Sequence, residues 1–184
     1  MAIVKVGLNR PNASNLFEDD FIKNIEKNIT TPEEVRKEYS LHNFPLDIES
    51  LLERLNISLV KKVLDNDISG MLISDNGHYT IVVEERHSEN RQRFTIAHEI
   101  AHYFLHKNLQ EKFEDVVFFR GTITNSMEFQ ANNFASELLM PKETFLQQIK
   151  KGKNKIEELA RFFGVSSLAI RVRAKQLNLV GHGL

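Results

Sequence analysis

His98, Glu99 and His102 fall within RFTIAHEIAHYFLH, residues 93–106, where most of the remaining side chains are apolar. Phe94, Ile96, Ala97, Ile100, Ala101, Phe104 and Leu105 cover nearly the whole circumference of a helix over this stretch, the pattern of a core helix. Three polar side chains in such a helix need something to offset their desolvation. A helix advances about 100° and 1.5 Å per residue, so His98 and His102 are about 40° apart around the axis and about 6 Å apart along it. Both imidazoles can then meet one ion. Glu99, about 100° round from His98, falls beside the ion, within reach of a water on it. This is the H-E-x-x-H arrangement of a zinc site. The rival reading is two hydrogen-bonded core histidines, and the helical setting and apolar surroundings favour the metal site over it.

A catalytic zinc takes three protein ligands and leaves one position open for water. His106 continues the i, i+4 series, but a straight helix puts it about 12 Å from His98. Nothing between them breaks the helix, so His106 is expected at the helix C-terminus, where positive charge is favourable. Glu128, in MEFQANNFASELLMP, is the better third ligand. Ala131, Asn132 and Ala135 share its helical face and would allow close approach to the histidine-bearing helix, while Phe129, Phe134, Leu138 and Leu139 bury elsewhere. Glu137 lies about 180° from Glu128 and cannot point at the same ion. The competing role for Glu128 is a solvated acid at a helix start. With a His, His, Glu set, zinc acidifies its water to a pKa of about 7 and polarises a carbonyl, and Glu99 can move the proton. The chemistry is peptide-bond hydrolysis. Tyr79, Tyr103, Arg93 and His106 are candidate oxyanion donors. His2Glu ligation suits Zn2+ best and admits Mn2+, Fe2+ or Co2+.

The elements that must position these residues read as an α+β fold. The chain has 184 residues, 41% hydrophobic and 27% charged, with a net charge of −1, the profile of a globular protein. It has no cysteine, which excludes disulfides, thiolate ligands and cysteine nucleophiles. No apolar run approaches the roughly 18 residues of a membrane span. MAIVKVGLNRPNASN lacks a signal-peptide core, so a cytoplasmic location is expected. NRPNASN reads as loop. Thr31, Pro32 and two acids open a helix, and Ile48, Leu51, Leu52 and Leu55 form the stripe of another. ISLVKKV, ISGMLIS and HYTIVVEE are strand-like, with DNG at 75–77 as a hairpin turn, which predicts a small three-stranded antiparallel sheet packed on the HExxH helix. That helix is expected to start near 88–90. Residues 107–125 read as a mobile connection with apolar anchors. Further helices are predicted over about 126–140, 153–163 and 166–177.

The quoted motifs resemble the ImmA/IrrE family of zinc metallopeptidases: RQRFTIAHEIAHYFLH, then EFQANNFASELLMP, preceded by the GMLISDNGHYTIVVEE hairpin. The resemblance covers residues 45–180. It implies a zincin-like fold, a zinc metallo-endopeptidase with His98, His102 and Glu128 as metal ligands, and Glu99 as general base. Members often carry an acid immediately before the Ala-Asn pair, where this chain has Gln130, so Glu128 is the only nearby carboxylate. The resemblance further implies a protein substrate, a helix-turn-helix transcriptional repressor whose cleavage derepresses mobile-element or stress genes.

Three segments follow: an N-terminal extension, 1–45; a zincin-like core, 46–149; and a basic helical region, 150–184. Residues 150–175 hold eight Lys and Arg against two Glu, a net of +6, which leaves −7 for residues 1–149. KIEELARFFGVSSLAIRVRAKQLNL resembles a helix-turn-helix, and Arg171, Arg173 and Lys175 could meet phosphates. Against nucleic-acid binding, the second helix opens without a pair suited to base edges. Leu159, Ala160, Phe163, Val165, Leu168, Ile170, Val172 and Leu177 favour packing on the core or substrate docking. The alternative to a peptidase is a non-proteolytic regulator that binds a repressor or DNA through these helices.

Overall fold

The computed structural model describes residues 29–65, 67–107, 112–116, 126–153 and 155–179, the 112–116 stretch as backbone. The NRPNASN loop lies outside the described residues. Helix α1, Pro32–Glu38, starts with a capping box: Thr31 Oγ1 accepts from Glu34 N, and Glu34 Oε2 accepts from Thr31 N. Asp47 caps α2, Ile48–Arg54, whose stripe of Ile48, Leu51, Leu52 and Leu55 is buried as predicted.

The three expected strands are β1, Ile57–Lys62, β2, Ile68–Asp75, and β3, His78–Glu84. Asn76 and Gly77 both take positive φ in the β2–β3 turn, which fits the twist of a two-residue hairpin. The sheet departs from the purely antiparallel, three-stranded expectation in two ways. Its order is β1-β3-β2-β4, with β1 parallel to β3, and the fourth strand, Lys112–Val116, comes from the segment read as a connection. The hairpin leaves the outer edge of β3 open, and β1 takes it. Hydrogen bonds from Glu85 N to Lys62 O and from Leu64 N to Glu84 Oε2 tie the end of β1 to the end of β3.

One sheet face, with Ile57, Leu72, Ile81 and Val83, joins the main core; Met71 and Val82 pack with Leu64 on the other. The long helix α3, Glu89–His106, lies against the first face and against α4, Ser126–Leu139. Ala97, Ala101, Ala131 and Ala135 are fully buried, which permits the close approach of these two helices. Phe134, Leu138 and Leu139 are buried, but Phe129, expected inside, is 59% exposed.

Helix α5, Lys142–Lys150, follows Pro141. Helices α6, Ile156–Phe163, and α7, Ser167–Gln176, are joined through Gly164, whose left-handed φ of 63° ends α6. Asn90 and Arg93 of α3 donate to Val165 O and Gly164 O, so the turn is held to the start of the site helix. Leu159, Phe163, Val165 and Ile170 enter the same core, whereas Leu168 and Val172, expected to pack, are about half exposed. Arg173 is buried, donates to Met140 O and forms an ion pair with the Glu137 carboxylate, so it is not available to meet phosphates as the sequence allowed. No helix among the described residues is long and apolar enough to cross a membrane.

Candidate metal centre

Helix α3 presents His98, Glu99, His102 and His106 from the middle of the protein, all at most 4% exposed. Its length spans the core, and its flanking apolar residues fix its rotation: Ile96, Ala97, Ile100 and Ala101 are buried around the histidines. Helix α4 brings Glu128 across from its first turn, 9% exposed. His98 Nε2 and His102 Nε2 are 3.0 Å apart. Glu128 Oε2 lies 3.1 Å from His98 Nε2, and Glu128 Oε1 lies 3.3 Å from His102 Nε2. The sequence therefore names three residues that the structure brings together.

These separations fit a metal. Ligand atoms about 2.0–2.1 Å from a tetrahedral zinc lie about 3.3 Å from one another. Two imidazole nitrogens and a carboxylate are also a chemically suitable donor set for Zn2+ and for its divalent neighbours. Their protonation suits it too. Burial opposes a charge on His102 and moves its pKa below the usual histidine value. Burial likewise opposes the Glu128 anion, but the polar contacts with the His102 and His98 imidazoles outweigh it and hold that carboxyl at about 2. A neutral imidazole and an ionised carboxylate are the forms that bind a metal.

Glu99 is fully buried one residue after His98. The sequence did not single out Gly70, which lies on β2 at a register shift against β4, where the sheet meets α3. A Cβ at this position would collide with Thr95 Cγ2 and stand 3.4 Å from Glu99 Oε1. The signal available was a glycine inside a strand pattern, which marks a bulge or a close backbone approach.

His106 is not a member of the His98, His102, Glu128 cluster. It stands behind it: its Nδ1 is 3.0 Å from His102 Nδ1 and its Nε2 is 3.0 Å from Gln130 Oε1. Of the other oxyanion candidates, Arg93 is committed to Gly164 O and Leu46 O. Tyr79 and Tyr103 meet edge to face, with ring centroids 4.8 Å apart. Glu137 faces Arg173, on the other side of α4 from the cluster, as its angular offset required.

Comparison with known proteins points the same way. The peptidase family model described as the IrrE N-terminal-like domain matches residues 52–175. Metallopeptidase ImmA of Bacillus subtilis (strain 168) is 32% identical over 120 residues, which cover 62% of this chain and 69% of that protein. The family match spans the sheet, both site helices and the C-terminal helix pair.

Proposed function

Because the chain belongs to the ImmA/IrrE family of metallopeptidases, we propose that it is a zinc-dependent endopeptidase in which His98, His102 and Glu128 hold the metal and Glu99 is the general base. The observation that carries this reading is the convergence of the two Nε2 atoms and the Glu128 carboxylate to separations of 3.0–3.3 Å. Zinc bound there supplies Lewis acidity, which acidifies water and polarises the scissile carbonyl. Glu99 takes a proton from the attacking water and delivers it to the leaving amine. It is fully buried, and a Cβ on Gly70 would stand 3.4 Å from its Oε1. The substrate we assign is a helix-turn-helix transcriptional repressor, on the family resemblance, and its cleavage would derepress mobile-element or stress genes in the cytoplasm. Residues 150–184 act as a basic helical region packed on the core, with 46–149 as the catalytic unit and 1–45 as an extension.

Two measurements test this. Metal analysis of the purified protein is expected to find about one zinc per chain, and none in His98→Ala. Glu99→Gln should keep its zinc and lose cleavage of a repressor from the same genome, followed by mass spectrometry. One observation favours a second reading, a non-proteolytic regulator: α7 presents Leu168, Arg171, Val172 and Lys175 together on its exposed side. If Glu99→Gln leaves the biological output intact while charge reversal at Arg171 and Lys175 abolishes it, that reading replaces the peptidase.

A further inference from the structure

We propose that His106 is a positioning residue for the metal site, fixing the tautomer of His102 through a hydrogen-bonded relay that ends at Gln130. The inference rests on His98, His102 and Glu128 being the metal ligands. It starts from the far end of the relay. Gln130 Oε1, 3.0 Å from His106 Nε2, is an amide oxygen and can only accept, so His106 Nε2 carries the hydrogen. A neutral imidazole has one N–H, and His106 Nδ1 therefore presents a lone pair. His102 Nδ1, 3.0 Å away, must donate to it. The hydrogen of His102 is thereby placed on Nδ1, and its Nε2 is left with a lone pair. That Nε2 is the atom lying 3.0 Å from His98 Nε2 and 3.3 Å from Glu128 Oε1.

A ligating histidine ordinarily gives its second N–H to a carboxylate, a carbonyl or a water, each of which accepts without ambiguity. An imidazole in that place can turn either face, donor or acceptor, toward its neighbour. It works as an acceptor only if its own hydrogen is drawn off elsewhere, and Gln130 does this. His102 and His106 are 1% and 4% exposed, so the contact between the two rings is shielded from bulk water, while Gln130 at the end of the relay is exposed. Gln130 follows Glu128 by two residues on α4. One helix thus delivers both the carboxylate and the end of the relay, and its docking on α3 sets ligand and tautomer together.

The experiment measures zinc affinity by chelator competition in the full-length protein, the d–d spectrum of the Co2+-substituted protein, and thermal melting in excess chelator. His106→Phe keeps a ring but cannot accept from His102; its zinc affinity should fall by about 10–100-fold, and its cobalt bands should shift. His106→Asn places an amide oxygen where Nδ1 stood, and should recover most of the affinity and the wild-type spectrum. Gln130→Leu should weaken zinc binding by less than His106→Phe. The relay is overturned if His106→Phe binds zinc as wild type does. It is equally overturned if Asn and Phe lose affinity alike in step with their metal-free melting temperatures, because packing alone would then explain the loss. Wild-type protein that binds no zinc would overturn the metal assignment and the relay together; in the first two results the metal assignment survives.

Discussion

Helix α4 carries two polar clusters, one at each end and on opposite sides. Near its C-terminal end Glu137 forms an ion pair with Arg173, which also donates to Met140 O at 3.0 Å, while Arg36 Nη1 donates to Glu137 O at 2.8 Å. Opposite charges meet, and backbone carbonyls accept from both arginines, so the charge of this cluster is balanced by protein alone. Burial brings the Arg173 pKa down to about 10, with a contribution from nearby Arg36, which still leaves it cationic at neutral pH. At the other end, Glu128 meets His98 and His102 with three ligand atoms turned toward one another. That arrangement suits a cation at its centre, and Glu99 follows His98 on the same helix. One cluster staples α7 to α4; the other is a donor set that could hold a metal. Arg173 is buried, as are the histidines, so burial of a polar group alone does not separate structure from function. What separates them is whether the partners supply the opposite charge themselves.

The comparison is broken most directly by Glu99→Gln. This neutral, nearly isosteric change should cost about 10²–10⁴-fold in kcat while zinc content and melting temperature stay close to wild type. Loss of zinc in this variant would mean that Glu99 supports the metal rather than the chemistry, and the contrast between the two ends of α4 would lose its catalytic side. The next largest effect is expected at the staple. Arg173→Leu removes the cation of the partly exposed Glu137 and the bond to Met140 O, and should cost roughly 2 kcal/mol, seen as a fall of about 4–8 °C in Tm. Zinc affinity of the folded variant should be unchanged. A matching loss of zinc affinity would show that the two clusters are coupled through α4.

Gly70→Ala sharpens the site end. The added methyl meets Thr95 Cγ2 and stands 3.4 Å from Glu99 Oε1, so β2 or α3 must give way. Overpacking of this kind costs about 1–3 kcal/mol. Because the clash is with Thr95, one turn before Glu99 on the same face of α3, kcat should fall further than zinc affinity does. Equal losses in both would place the strain on the whole helix and leave Gly70 with a packing role alone.

The parts of this site readable in sequence are those set by local helical geometry. His98, Glu99 and His102 sit within one turn of a single helix, so spacing alone predicts their relation. Glu128 could be named because Ala131 and Ala135 mark the face that comes close, and both are fully buried. What sequence did not show depends on which distant segment lies opposite. Strand β1 pairs in parallel with β3 because a hairpin edge was open to it, and a fourth strand comes from residues that carry no clear alternation. His106 read as a helix-end histidine, because nothing in the spacing says that Gln130 faces it from another helix. Leu168 and Val172 show the reverse error. An apolar residue at helical spacing reads as core, but α7 buries only the side that carries Ile170, Arg173 and Ala174.

The smallest effect is expected at a third polar group, which tests whether charge completion by protein alone is what makes a cluster structural. Glu84, 3% exposed, accepts from Leu64 N and from the backbone and side chain of Arg86, all at 2.8 Å. The side-chain hydrogen bonds from Arg86 outweigh burial and hold its carboxyl at about 2, against an ordinary 4.5. A depressed carboxyl pKa means that the unfolded chain binds the proton first as the pH falls. The stabilisation is therefore complete above about 4.5 and drains away as the pH drops toward about 2. Glu84→Gln removes the charge at every pH. Urea unfolding of the two proteins should differ most at pH 7 and converge as the pH is lowered through that window, with zinc content the same in both. A difference that stayed constant across the window would mean that the hydrogen-bond geometry at Leu64 matters and the charge does not. The rule drawn from Arg173 and Glu137 would then not extend to the end of β3.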